Sequence, residues 1–365
     1  PDATARSLSV SQLQCVELVR AISQAAKVVI LDEPTSSLSD SEVAQLLELV
    51  RQLRDSGVAV IYISHRMEEI MEISDEVSIM RDGHMMGTWA TSELTLDQII
   101  TTMVGRELTF RFPERTHQPG DVLVEVRNLT AADASSFVDV SFDVRRGEVL
   151  GIGGLVGAQR TEAMEALFGL RSLSGGKILL GGKEADLSTP IKAKRRGLAF
   201  LTEERRATGI FPVLSVEFNL LVAHLGNYVS CMRLLEQKRM RRDARESIER
   251  LAVKTPSSRS LIRDLSGGNQ QKAIVAREID LGNQLIIFVQ PTRGLDIAAR
   301  THIHRQIMEE RAKGHAILLV SLELDEIMEL ADTIGVLYNG VLRKIAPAGE
   351  LTLEEVGQLM LGVGA

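Results

Sequence analysis

Val28-Val-Ile-Leu-Asp32-Glu33-Pro34-Thr35 is an apolar run closed by two carboxylates. The chain meets the pattern again, altered, at Leu285-Ile-Ile-Phe-Val289-Gln290-Pro291-Thr292. The two stretches lie 257 residues apart. The same offset joins Leu8-Ser9-Val10 to Leu265-Ser266-Gly267, and Ile63-Ser64-His65 to Val320-Ser321-Leu322. It also joins Asp82-Gly83 to Asn339-Gly340, and Glu93-Leu-Thr-Leu96 to Glu350-Leu-Thr-Leu353. A gapless match over roughly 100 residues is a domain repeated in tandem, not a solenoid unit. The second copy opens near Val122. A first copy of equal length would begin about 135 residues before Pro1, so the sequence reads as an N-terminally truncated piece. The boundaries expected are 1–107 for the end of a first domain, 108–121 for a linker and 122–365 for a complete second domain.

Around the repeated stretch, short β-branched runs alternate with longer helical patterns, which predicts an α/β fold with a parallel core. Val28–Leu31, Val58–Ile63 and Val77–Met80 read as strands. Apolar residues at helical spacing (Val43, Leu46, Leu47, Val50) predict a helix over Ser41–Arg54. A helix is expected over 92–105. Val122–Val126 and Val140–Val144 have the look of an antiparallel layer, and Val149–Ile152 leads through a Gly-rich turn to a helix from Thr161. A charged helix is expected over 236–254, its cations Lys238, Arg239, Arg241 and Arg242 forming a solvated face.

With 365 residues, 44% apolar content and a net charge of −7, the chain has ample core material and no basic footprint for nucleic acid. Two cysteines, Cys15 and Cys231, make no disulfide framework and point to a reducing compartment, each as a buried small hydrophobe. No run reaches the roughly 18–20 apolar residues of a membrane span. Service to a membrane would run through a partner, from the cytoplasmic side.

Four constellations carry chemistry. Gly154-Leu-Val-Gly157-Ala-Gln-Arg160-Thr161 sits between strand and helix, where backbone amides cradle phosphate and a cation reaches its outer oxygens. The usual string ends Gly-Lys-Thr/Ser; here Gln159 and Arg160 replace the first two, which keeps the charge but not the compact ammonium. Asp32 and Glu33 at a strand end suit triphosphate hydrolysis, Asp32 holding Mg²⁺ through water and Glu33 polarising the attacking water. Leu265-Ser266-Gly267-Gly268-Asn269-Gln270-Gln271 offers a capped helix with amides open to an anion. His65 follows the next strand, within reach of a terminal phosphate.

Together these parts resemble an ATP-binding cassette (ABC) ATPase. More narrowly, the chain resembles the double-cassette ATPases of bacterial sugar importers, and is most similar to their galactose/methyl-galactoside branch. The strings carrying this are Leu8-Ser-Val-Ser-Gln12, Tyr62-Ile-Ser-His-Arg-Met-Glu-Glu69, Met103-Val-Gly-Arg106, Pro119-Gly120, Thr202-Glu-Glu-Arg-Arg206 and Val253-Lys-Thr-Pro256. The resemblance implies a parallel α/β core, an antiparallel β layer and a helical subdomain in each cassette. It implies ATP and Mg²⁺ as cofactors, permease subunits and indirectly a periplasmic sugar-binding protein as partners, and a peripheral place on the cytoplasmic face of the inner membrane. It implies that the cassettes pair head to tail. One site would join Asp32, Glu33 and His65 to Ser266, Gly267, Gly268 and Gln270. The other would join Gly154, Gly157, Arg160, Thr161 (also a metal ligand) and Glu203, at the glutamine-loop position, to Ser9 and Ser11. The second copy departs from the pattern: Val289 replaces the metal-organising aspartate, Gln290 the catalytic glutamate and Leu322 the histidine. Phe137 is its one candidate for stacking on adenine. Two other readings are a non-hydrolysing regulatory relative, favoured by Val289 and Gln290, and a soluble ribosome-associated double-cassette protein. The second is disfavoured by the short linker and the acidity.

Overall fold

The structure is a computed structural model that describes residues 13, 16, 20, 26–32, 34–35, 40–64, 66–81, 84–104, 118–230, 233–279 and 282–362. Glu33, His65, Ser9, Ser11, Cys15, Cys231 and most of the expected linker lie outside them. The chain divides into two units, Pro1–Phe110 and Arg111–Ala365, three residues beyond the boundary expected at 107.

In the first unit, β1 (Val28–Asp32) pairs in parallel with β2 (Ala59–Ile63). Between them runs α1 (Asp40–Asp55), whose Val43, Leu46, Leu47 and Val50 are buried as their spacing requires. Then follow α2 (Met67–Ile73), the antiparallel hairpin of β3 (Glu76–Arg81) and β4 (His84–Ala90), and α3 (Leu96–Val104). A 3₁₀ turn over Thr91–Glu93 takes up the start of the helix expected from 92.

The second unit opens with β5 (Val122–Ala131), longer than expected, and β6 (Val140–Arg145). With β8 (Leu173–Leu180) and β9 (Lys183–Glu184) they form a four-stranded antiparallel sheet, the expected layer. The remaining strands are β7 (Val149–Gly153), β10 (Leu198–Leu201), β11 (Leu285–Val289), β12 (Ala316–Val320), β13 (Thr333–Tyr338) and β14 (Val341–Pro347). They build one sheet in the order β10-β11-β12-β7-β13-β14, parallel throughout except for β14. Helices occupy both faces: α4 (Arg160–Leu167), α5 (Pro190–Arg195), α6 (Val216–Leu221), α7 (Gln237–Arg250), α8 (Gly267–Ile279), α9 (Ile297–Ala312), α10 (Leu324–Leu330) and α11 (Leu353–Met360). The charged helix α7 ends four residues short of the expected 254 because Ala252 turns left-handed at φ +48°. Its Lys238, Arg239 and Arg242 are exposed, and Arg239 and Arg242 pair with acids along the helix.

Bounds repeat between the units at the 257-residue offset. Strands β1, β2, β3 and β4 correspond residue for residue to β11, β12, β13 and β14, and helices α1 and α2 to α9 and α10. One ion pair fixes the entrance to the site. Arg311 at the end of α9 donates to both carboxylate oxygens of Asp332, at 2.9 and 2.7 Å, and the Val149 amide donates to the same group at 2.9 Å. This bidentate clamp pins the start of β7, the strand that feeds the glycine turn.

Candidate nucleotide site

Strand β7 lies between β12 and β13, buried along its whole length. It delivers the chain to Gly154 at φ +158°, where an added Cβ would stand 2.6 Å from the Leu337 carbonyl oxygen and 2.9 Å from Ala158 Cβ. Only glycine fits. Gly157 has φ +85° with open space beside it, so conformation rather than crowding selects it. Gln159 adopts φ +68°, at a cost of roughly 1 kcal/mol for a residue with a Cβ. Its amide offsets part of this: Ser136 Oγ donates to Oε1 at 2.8 Å, and Nε2 donates to the Gly157 carbonyl at 3.3 Å. The turn hands directly to α4, whose first amides lack intrahelical partners.

Arg160 does not hang over this cradle. It is buried, and its Nη1 donates to the Ser321 carbonyl at 2.8 Å. Burial pulls its pKa down to about 10 against the pull of Glu203 and Glu162. In place of the expected reach toward outer phosphate oxygens, the side chain folds inward, onto the Ser321 carbonyl just past β12. Thr161 Oγ1 donates to Glu203 Oε2 at 2.9 Å, and Arg293 Nη1 donates to Glu203 Oε1 at 2.7 Å. The structure thus joins Thr161 and Glu203, as expected, and adds Arg293, which the sequence reading missed.

At the end of β11, Val289 is fully buried and its side chain carries no oxygen. Gln290 turns left-handed at φ +51°, accepts from the Leu322 amide at 3.3 Å through Oε1, and keeps a buried Nε2 without a partner. Mg²⁺ wants near-octahedral oxygen ligands. Here the strand carboxylate is absent and the Glu203 carboxylate is already held by a guanidinium, so the residues present do not fit the ion. Among the described residues, no cluster of three or more His, Cys, Asp or Glu side chains is placed to hold a metal.

The glycine pair at Gly267-Gly268 opens α8. An added Cβ at Gly267 would meet the Arg205 guanidinium at 2.8 Å, and one at Gly268 would meet Ala299 Cβ at 2.9 Å. Asn269 Nδ2 donates to Ser266 Oγ at 2.8 Å and so orients that hydroxyl. Gln270, expected among the nucleotide contacts, is buried instead, its Nε2 donating to the Leu265 carbonyl at 2.9 Å. It holds the turn. Gln271 ties the helix to the acidic-strand exit through the Pro291 carbonyl at 2.8 Å. Phe137 is buried in the core below the antiparallel sheet, so it offers no adenine platform, contrary to expectation.

Both units anchor the turn after the strand with a buried glutamate. In the first, Glu69 accepts from Thr35 (3.0 Å), Tyr62 (2.8 Å) and Ser64 (3.1 Å), with the Arg66 guanidinium 3.1 Å away. Burial and then the Glu69 carboxylate push the Tyr62 phenol well above its ordinary range. In the second, Glu326 accepts from Thr292 at 2.9 Å and pairs with His304 Nε2 at 2.7 Å. Thr35/Thr292, Ser64/Ser321 and Glu69/Glu326 are identical at the offset, the signal that could have found this network. Asp32 lies exposed at the end of β1, and its neighbours Glu33 and His65 are outside the described residues.

The family model described as "ABC transporter" matches residues 137–293, from the antiparallel layer to Arg293. The galactose/methyl galactoside import ATP-binding protein MglA of Clostridium tetani is 47% identical over 356 residues, covering 98% of this chain and 71% of that protein. The chain belongs to the ABC transporter ATP-binding family. Proteins of the same description from Haemophilus influenzae and Escherichia coli K12 are 45% and 44% identical to this ABC chain over 359 residues, each at 98% and 71% coverage. Among solved structures, a nucleotide-free ATP-binding cassette from an ABC transporter superposes with a TM-score of 0.57 at 18% identity, over 67% of this chain and 100% of that one. An ATP-binding subunit of an ABC transporter does so at 0.55 and 24%, over 66% and 99%. Both share the cassette fold with this ABC chain, which as an ABC ATPase takes ATP as its ligand.

Proposed function

We propose that this chain is the energy-coupling ATPase of a monosaccharide importer, with galactose or methyl galactoside as cargo. What carries the reading is similarity of 44–47% over almost the whole chain to ATPases of that description. In this reading it docks on permease subunits at the cytoplasmic face of the membrane, with a periplasmic binding protein supplying the sugar. No described helix is long and apolar enough to cross a membrane itself. Residues 1–107 are the later part of a first cassette, 108–121 a linker and 122–365 a second, complete cassette; the repeat of element bounds at one offset supports this division. Asp32 organises Mg²⁺, Glu33 is the general base and His65 contacts the terminal phosphate. In the second cassette Gly154, Gly157 and Thr161 take the phosphates. Ser9, Ser11, Ser266, Gly267 and Gly268 are the signature residues of the two cassettes.

The test is ATP-driven uptake into vesicles carrying the permease pair encoded beside this chain, with galactose set against ribose, arabinose and xylose. Uptake of galactose that Glu33→Gln removes is the expected result; uptake of ribose alone would transfer the chain to another cargo. Val289 and Gln290 favour a second reading, a regulator that binds nucleotide without turning it over. Vesicles in which uptake proceeds unchanged with Glu33→Gln would favour it.

A further inference from the structure

The second unit meets three demands of a triphosphate site in unusual ways. The cation at the end of the glycine turn, Arg160, is spent on the Ser321 carbonyl inside the fold. The strand position that should carry a metal-organising carboxylate is a buried valine, Val289. The remaining carboxylate, Glu203, sits beside the Thr161 hydroxyl with a guanidinium on its other oxygen. That guanidinium is well placed. Arg293 follows Thr292, which Glu326 anchors from below, and its amide donates to the Gln290 carbonyl at 3.3 Å. More than a third of its side chain remains exposed (37%), and the carboxylate it holds also accepts from Thr161, the residue that follows the glycine turn. Guanidinium groups bind phosphate oxygens in a fork and cannot lose their charge near neutral pH.

Around Thr161 the cations Arg160 and Arg293 stand against the carboxylates Glu203 and Glu162, so the charges already balance without any ion. A divalent cation would have to displace Arg293 from Glu203 and would then face that freed guanidinium. Nearby, the buried Gln290 Nε2 is an unpartnered donor at the position where a carboxylate would have been an acceptor. A donor suits a phosphate oxygen; an acceptor suits a metal-bound water.

We propose that the second-unit site takes its nucleotide as the metal-free polyphosphate, with the Arg293 guanidinium standing where the divalent cation would. The inference rests on the reading of Gly154–Thr161 as a nucleotide site, and its test separates the two. The 365-residue chain is titrated with ATP by calorimetry, once with excess EDTA and once with excess MgCl₂. The expected result is binding of comparable strength in both. Arg293→Gln should weaken EDTA-phase binding about tenfold, the loss of one charge-assisted contact. It should also create a Mg²⁺ dependence, because Glu203 is then released beside Thr161; a merely structural role would not produce that. Arg293→Lys should restore part of the metal-free affinity. Gly157→Asp puts a carboxylate in the cradle at a left-handed position that aspartate tolerates, and should abolish binding. A strict Mg²⁺ requirement in the unaltered chain overturns the inference and leaves the nucleotide site standing, as does Arg293→Gln binding as tightly as the parent in EDTA. No binding under either condition, or binding that survives Gly157→Asp, overturns the site and the inference together.

Discussion

In the first unit Val28–Asp32 pairs with Ala59–Ile63, and in the second Leu285–Val289 pairs with Ala316–Val320, in matching register. Yet Val28, Ile30, Ile61 and Ile63 are 53%, 64%, 51% and 45% exposed, while Leu285, Ile287, Leu318 and Val320 are completely buried. The second set packs into the core shared by the antiparallel sheet and α4. Among the described residues, the first unit places no such layer over its strands. Strand formation is written into the local β-branched pattern; burial is decided by what the fold lays on top. Full burial of such a side chain contributes about 1.5–3 kcal/mol, so a layer laid over the first pair would add stability of that order at each of these side chains.

The largest effect expected tests that difference directly. Ile287→Lys would strand an ammonium in the fully buried core and should leave the second unit unfolded, whereas Ile30→Lys should stay within about 0.5 kcal/mol. Thermal melts by circular dichroism read both. Damage from Ile30→Lys as severe as from Ile287→Lys would mean that the face is covered in the working protein.

The second contrast is chemical. Glu33→Gln makes the first unit resemble the second, and should lower hydrolysis in the assembled importer by roughly 10²–10⁴-fold, the span of a general base. The converse change, Gln290→Glu, should leave phosphate release almost unaltered, because Val289 and the Arg293–Glu203 pair still exclude the metal. A large gain from Gln290→Glu would erase the distinction between the sites.

The third concerns the buried glutamates. Position 47 is Leu in the first unit and its counterpart is His304; position 62 is Tyr and its counterpart is Leu319. Each unit thus serves its glutamate from a different element, β2 in one and α9 in the other. His304→Leu should cost about 3 kcal/mol by leaving a buried carboxylate short of a partner. Adding Leu319→Tyr, which borrows the first unit's solution, should recover part of it. Tyr62→Leu should cost only about 1 kcal/mol, since Thr35, Ser64 and Arg66 still hold Glu69. Denaturant midpoints report all three.

The smallest effect is a pH dependence. Burial raises the Glu326 pKa, but His304, Ser321 and Thr292 together outweigh it and hold the group below its ordinary 4.5. A carboxylate depressed on folding stabilises above its unfolded value, and that contribution fades as pH falls through the folded one. Stability should therefore drop more steeply below about pH 4.5 in the parent than in Glu326→Gln. Parallel acid limbs would show that the group carries no such linkage.

The elements were legible because periodicity and turns are local: the helix over Ser41–Arg54 emerged as Asp40–Asp55, and β7 and α4 within a residue of expectation. Spacing placed Thr161 beside Glu203, and the turn at Gly154 and Gly157 takes the backbone conformation that its glycines predict. Side-chain direction was not. Arg160 and Gln270 sit at the expected positions but turn inward, because a long side chain beside a buried carbonyl finds a better partner there than in solvent. Arg293 escaped notice for the opposite reason: its partner Glu203 lies 90 residues away, and no local pattern announces such a meeting.

The hairpin of the first unit has an optical consequence. The chain's only tryptophan, Trp89, lies on β4 with its ring folded over Gly87, so close that an added Cβ there would come within 2.4 Å of it. Intrinsic emission at tryptophan wavelengths therefore speaks for the first unit alone, and the second is dark. ATP added to the glycine turn at Gly154–Thr161 has no fluorophore of this kind in its own unit. A change in emission on that titration would register a message received by the hairpin, which makes an unlabelled protein its own detector of communication between the two copies.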